Sequence, residues 1–238
     1  MNLMKFAMKI IDKLPRGMQK IVFKTTIEVR FIIFRIKLMH NTHKNTPSPA
    51  RVYWIPPKRI MYHTNYLKNE NVQAIPFRDR VFYSKTMRGK VVDGNWDITN
   101  YKFTDLDVFK ALKKRIGEGV EWQDTNFYKR VLRQAESGKF VWGVKNKDDL
   151  DKRCKHLDSL YESIKNRGYR LNRNNYDKNI ASDEIDVNIG RNGEYLFQDG
   201  VHRLSIAKIL GIKNVPVTVF VRHKKWWEFR KFVISYAQ

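Results

Sequence analysis

Apolar positions along this chain follow two different periods, and the change between them divides it. From about residue 104 to 168 the spacing is helical. Leu150, Cys154, Leu157, Tyr161 and Ile164 recur at i, i+4, i+7, i+11 and i+14, one stripe of a helix from about Lys147 to Arg167 that Gly168 stops. The stripe makes Cys154 a core residue and not a nucleophile, and it leaves His156 facing solvent. Two shorter helices are expected before it. One begins at Thr104 as N-cap, with Asp105 and Asp107 in the first turn where the helix dipole favours acids, and ends near Gly117. The other begins near Asp124-Thr125 and ends at Gly138.

Elsewhere the period is two, or the runs are short and rich in β-formers. Ile185-Asp186-Val187-Asn188-Ile189 alternates as a strand does. Gly190-Arg191-Asn192-Gly193 reads as a tight turn in which the Asn192-Gly193 dipeptide supplies the positive φ angles, and Glu194 to Phe197 returns as the second arm of a hairpin. Val215 to Val221 is a continuous apolar run, a buried strand. Upstream, Arg51 to Ile60 reads as a strand ending at Pro56-Pro57, Val81-Phe82-Tyr83 as another, and Lys90-Val91-Val92 as a short one before the turn Asp93-Gly94-Asn95-Trp96-Asp97. Thr46-Pro47-Ser48-Pro49 cannot propagate a helix and marks a linker. The fold class that follows is α/β: a mixed sheet from the segments around 51–103 and 180–225, with a helical insertion at about 104–168.

Residues 1–44 change the picture. They carry ten Lys and Arg against Asp12 and Glu28, with Lys5, Lys9 and Lys13 on one helical face and Leu3, Ala7, Ile10 and Leu14 on another. That is the pattern of a helix lying on an anionic membrane surface, and equally of a helix closing on the protein's own core. Both readings stay open. The whole chain of 238 residues has a formal charge of +23, which predicts attraction to nucleic acid, an anionic membrane or a polyphosphorylated substrate. A general lysine-rich composition explains the same number. The single cysteine excludes an internal disulfide and a cysteine zinc site. No apolar run approaches the ~20 residues of a membrane span, so the expected location is the cytoplasm, with peripheral attachment at the inner face of the membrane.

The candidate chemistry lies late in the chain. After the hairpin comes Asp199-Gly200-Val201-His202-Arg203, then an apolar helix from Leu204 to Leu210 that Gly211 caps, then the Val215 strand. A glycine between strand and helix permits close backbone approach. The new helix offers N–H groups and the positive end of its dipole, and His202 and Arg203 add donors suited to phosphate oxygens. The plain alternative is that Asp199 caps the helix, Gly200 serves the turn, His202 is a structural hydrogen-bonder and Arg203 is solvated.

Asp-Gly-x-His-Arg-Leu-x-x-Ala-Lys-x-Leu-Gly, here Asp199 to Gly211, followed by Val215-Pro216-Val217, resembles the signature of the ParB/sulfiredoxin superfamily. A weaker match is Ile55-Pro56 with Ile60, similar to the opening strand of such domains. The resemblance covers about forty residues, and neither the helical insertion nor the basic N-terminus falls within it. It implies a ParB/sulfiredoxin-like domain over 51–238 whose Gly200, Val201, His202 and Arg203 hold nucleotide phosphates. Val201 stands where sulfiredoxins carry their catalytic cysteine, so sulfinic-acid repair is not expected. A ParB-type helix-turn-helix domain is not expected after Gly211 either.

The turn is most similar to the free-serine-kinase-like branch. This implies a nucleotide-dependent kinase using ATP, ADP or CTP with Mg2+, and a small or lipid-linked hydroxyl compound as acceptor. A kinase needs carboxylates to orient the acceptor and organise the metal. Asp199 is the first candidate for the magnesium or the acceptor role, His202 stands beside it as a further catalytic candidate, and Asp93 and Asp97 are second-rank candidates for substrate contact. For that last turn, loop chemistry with Trp96 anchored in the core is the alternative. Two other functions stay open: a ParB-type DNA-binding or nuclease-like protein, and a nucleotide-sensing module lacking a second carboxylate near the phosphate site.

Overall fold

The computed structural model describes residues 51–64, 87–139, 141–171, 173–174, 177–181 and 184–236. The basic segment 1–44, the proline linker and the strand expected at Val81-Phe82-Tyr83 lie outside them. The described chain is mixed α/β. Its strands are β1 (Val52–Ile55), β2 (Tyr62–His63), β3 (Val91–Val92), β4 (Arg173–Asn174), β5 (Asp177–Ala181), β6 (Ile185–Ile189), β7 (Tyr195–Asp199) and β8 (Val215–His223). Its helices are α1 (Asp107–Glu118), α2 (Asn126–Glu136), α3 (Lys147–Arg167), α4 (Val201–Ile209) and α5 (Lys224–Tyr236).

The main sheet runs β1-β8-β6-β7-β2, with β3 added along the far end of β8, and β4–β5 form a separate ribbon. β8 is antiparallel to β1 and parallel to β6; β6 and β7 are the antiparallel hairpin; β2 is parallel to β7. One sheet face carries Ile185, Val187, Phe197, Val217 and Val219. It packs on Leu112, Phe127, Val131, Leu150, Leu157, Leu204 and Ile206 from the helices. The helical segment therefore shares one core with the sheet. Cys154 is part of it, and burial pushes its thiol up to about 12, so it is inert at neutral pH. No helix among the described residues is long and apolar enough to cross a membrane.

Several boundaries differ from the sequence reading, each for a local reason. Thr104 lies inside a short 3-10 turn, Phe103–Asp105, anchored by fully buried Phe103, so α1 starts three residues later. Gly117 continues that helix; the stop is Gly119, whose φ of 69° closes a left-handed cap. α4 begins at Val201 rather than Leu204, because Gly200, at φ 87°, turns the chain directly from strand into helix. β8 continues past Val221 to His223, and α5 follows it without a break. All five residues of β6 are buried, its polar positions included. Asn188 is satisfied on the second face: its amide donates to Thr64 Oγ1 and Gln198 Oε1 at 2.7 and 2.9 Å, and its oxygen accepts from the Val221 N–H at 3.1 Å. Buried polar groups persist where partners are this complete.

Candidate functional site

The turn from β7 into α4 is built around a glycine that no other residue replaces cheaply. Gly200 has φ 87°, and a Cβ there would lie 2.9 Å from the Ile185 Cα. Close approach to β6 thus sets both the turn and the start of α4. Helix starts elsewhere are handled differently. Thr125 Oγ1 accepts from the Tyr128 N–H at the head of α2, and Asn146 Oδ1 accepts from the Asp149 N–H at the head of α3. The α1 start lacks a side-chain cap but has Asp107 in its first turn. The α4 start has a glycine as N-cap, with no side chain to cap it, and no acid in its first turn. Asp199 Oδ1 accepts from the Gly200 N–H at 2.8 Å, one residue short of the helix. The positive end of α4 is therefore left electrostatically uncompensated by its own first turn.

The two cationic candidates are more constrained than the sequence suggests. Arg203 Nη1 donates to both oxygens of Glu184 at 3.4 Å, and the guanidinium lies 5.9 Å over the Tyr169 ring. The Glu184 side chain is fully buried, and the Tyr169 hydroxyl also donates to it at 3.3 Å. Burial, then Glu184, pushes the Tyr169 hydroxyl well above its usual range. His202 packs edge-on against Trp142 with ring centroids 4.5 Å apart, and its Nε2 is sealed from solvent without a partner among the described residues. Burial pushes the imidazole down to about 4, Arg153 and His156 add to the effect, and Asp199 opposes it. His202 is thus neutral at pH 7: a hydrogen-bonding group, and no source of positive charge.

Trp142 was not a sequence candidate. It is the one non-glycine residue with positive φ among those described, at 62°, wedged between Phe127 and His202. A bulky residue in that conformation is strained, and strain of this kind collects where a side chain must be held in place. Asp186 was also missed. It sits across from Asp199 in the β6–β7 register, beside a bulge, and so puts a second carboxylate-bearing residue next to the turn. Its carboxylate is gripped by both Nη atoms of Arg88 and by the Thr218 hydroxyl. The signal for it was present in the polar positions of the β6 alternation, to which no role was assigned from sequence.

Asp93 and Asp97 are not brought to this turn. They lie at the other end of the hairpin, separated from Asp199 by the length of β7, about 13 Å for four strand steps. Asp97 accepts from the Arg191 backbone N–H at 2.7 Å and from its guanidinium at 2.7–3.2 Å. Burial pushes the Asp97 carboxyl up, but these hydrogen bonds and nearby His223 outweigh it and hold the group below its ordinary range. Arg191 also donates to the Gly94 carbonyl and Asn95, and the His223 ring is hydrogen-bonded to Gly94 O at 2.9 Å. Trp96 is buried. The alternative reading of this turn, an anchored structural loop, is the one that describes its geometry. Exposed Asp93 is held low by the Gly94 N–H and by Lys224.

The residues at α4 fit a phosphate-bound magnesium ion only in part. No group of three or more metal-capable side chains converges among the described residues. Magnesium takes one or two carboxylates plus phosphate oxygens, so Asp199 alone meets the minimum the protein must supply. No protein-family model, curated protein or solved structure matches this chain.

Proposed function

We propose that the β7–α4 turn binds the phosphates of a nucleotide and that the protein transfers a phosphoryl group to a hydroxyl-bearing acceptor, on a ParB/sulfiredoxin-like domain. One observation carries the binding half: α4 is entered through a left-handed glycine, with neither a capping side chain nor an acid in its first turn. Such a terminus favours an anion. The ParB/sulfiredoxin reading rests on the Asp199–Gly211 motif and on the chain order β7, glycine turn, α4, β8, which agrees with what that motif implies.

In this reading the N–H groups of Val201, His202 and Arg203 hold phosphate oxygens, and the neutral His202 ring packs against Trp142. Magnesium, when bound with the nucleotide, would offset phosphate charge, and Asp199 is the residue to hold it. In the same reading a carboxylate oxygen of Asp199 takes the proton of the acceptor hydroxyl. A P–O bond forms to the acceptor, the bond to the departing nucleotide breaks, and the proton leaves through the carboxylate. Asp186 faces Asp199 across the ladder, but its carboxylate is taken up by Arg88 and Thr218, so Asp199 is the carboxylate this reading relies on.

The test is thermal shift and calorimetry with ATP, ADP and CTP, with and without magnesium, on the full chain and on Asp199→Asn. The expected result is nucleotide binding in both proteins, retained within about tenfold in the variant because backbone N–H groups carry most of the recognition, with phosphoryl transfer lost. Equal stability with and without every nucleotide overturns the binding reading. Full transfer activity in Asp199→Asn overturns its catalytic role.

A further inference from the structure

Helix α5 has two apolar faces, and only one of them is covered. Trp227 is buried and Trp226 packs against the main core, which docks the helix along β8 and β3. On the other side Phe229, Phe232, Val233 and Tyr236 fall at i, i+3, i+4 and i+7, so they form one stripe. All four are exposed, at 65, 59, 46 and 78 %. The Phe232 and Tyr236 rings lie 4.7 Å apart, continuing the stripe to the end of the helix. The helix carries Lys224, Lys225, Arg230 and Lys231 against a single acid of its own, Glu228; Lys225 flanks the stripe and Lys224 pairs with Asp93 at 3.5 Å. Arg230 lies 5.1 Å over Trp227, and the three lysines are exposed.

We infer that this stripe is a docking face for an anionic lipid surface. A stable protein–protein contact needs about 800 Å² per partner. A helix of 13 residues is about 20 Å long and about 10 Å wide, so the stripe supplies roughly a quarter of that area. A bilayer asks for no matching surface. It takes an aromatic and aliphatic stripe a few ångströms into the acyl boundary, while lysine stems reach the headgroups. Aromatic rings are favoured at that depth. The charge is complementary as well: the helix is cationic, on a chain whose formal charge is +23. Single-stranded nucleic acid can stack bases on exposed rings, but it has no use for Val233, and the oligonucleotide arm of the experiment separates it from lipid. This inference is independent of the nucleotide site, since α5 packs at the Gly193 end of the hairpin and Gly193 sits against Trp226.

The experiment uses the full chain carrying Val233→Cys, labelled with an environment-sensitive fluorophore; buried Cys154 stays unlabelled. Lys155→Cys, on an exposed face of α3, serves as the control site. Vesicles of phosphatidylglycerol and phosphatidylcholine should shift the position-233 emission to the blue and leave position 155 unchanged. Phosphatidylcholine alone should do neither. Phe229→Ser with Phe232→Ser removes exposed rings only, and it should lower partitioning onto the anionic vesicles about tenfold or more. Four results overturn the inference. The first is a label at 233 that stays in water while the protein sediments with vesicles, which puts the contact elsewhere. The second is a label already blue-shifted without lipid, which means this chain or a second copy covers the stripe. The third is the same shift with a single-stranded oligonucleotide. The fourth is no sedimentation with anionic vesicles at moderate salt.

Discussion

The two ends of the β6–β7 hairpin use the same four residue types and reach opposite results. At the turn end Asp97, Gly94, Arg191 and His223 lock one another. Arg191 reaches the Asp97 carboxylate and two further oxygens, its backbone N–H reaches Asp97 again, and His223 holds Gly94. At the other end Asp199, Gly200, Arg203 and His202 stand around a helix start with no capping side chain. The Arg203–Glu184 contact is long at 3.4 Å, and the His202 Nε2 is sealed without a partner among the described residues. The first arrangement holds a loop to a sheet. The second leaves a concentrated positive dipole at a fixed point, which is what an anion site requires. Residue type alone does not separate a site from a strut; what separates them is whether the donors are already answered.

The largest effect should come from breaking the lock. Arg191→Ala leaves the Asp97 carboxylate without its guanidinium, with the residue-191 backbone N–H still donating to it, so this change should destabilise the fold more than the other substitutions. Urea denaturation should show that loss. Any nucleotide affinity measured in the folded fraction should be unchanged, because the change is a strand length away from α4.

Acid should weaken the other end first. His202 is held down at about 4, against 6.5 when the chain is unfolded. Between those values the unfolded chain takes up a proton that the folded chain refuses, so stability falls as pH falls. About 3 kcal/mol is lost once pH drops below the folded value. Stability from Asp97, whose carboxyl is depressed below 3.8, is lost only under more acid conditions. Denaturation midpoints between pH 7 and 4 should therefore decline, and His202→Gln should flatten that decline. An unchanged slope in the variant would mean that other groups carry the acid sensitivity.

A smaller effect distinguishes a close approach from a turn. Gly200→Ala meets Ile185 at 2.9 Å and needs φ 87°, while Gly211→Ala needs φ 64° and meets nothing within 4 Å. The first should cost about 2 kcal/mol or more and the second about 1 kcal/mol. Equal losses would show that contact with β6 does not shape the turn.

Much of this fold was legible from local pattern. The α3 stripe, the hairpin with its Asn-Gly turn and the strand–glycine–helix–strand unit all follow from spacing, and each stands within a few residues of where spacing puts it. What was not legible depends on contacts distant in sequence. Nothing near Asp97 predicts that Arg191 will occupy it, and nothing near Arg203 predicts Glu184. Trp142 reads as a loop aromatic until the fold places it against His202. The alternation of β6 marks a strand but cannot reveal that Arg88, Thr64, Gln198 and Thr218 will close over Asp186 and Asn188. Helix α5 was not assigned although Phe229, Phe232, Val233 and Tyr236 fall at i, i+3, i+4 and i+7, because Trp226, Trp227 and Ile234 put further apolar residues around the helix and blur that stripe.

The central claim is that the α4 start is an anion site and the hairpin turn is not. The direct measurement is an amide-resolved NMR titration of the full chain with ATP and magnesium, and with CTP. The predicted result is saturable shifts of the Gly200, Val201, His202 and Arg203 amides, with Arg191, Asn192 and Gly193 unmoved. Shifts centred on Arg191–Gly193, or no saturable change at Gly200–Arg203 with either nucleotide, would contradict it.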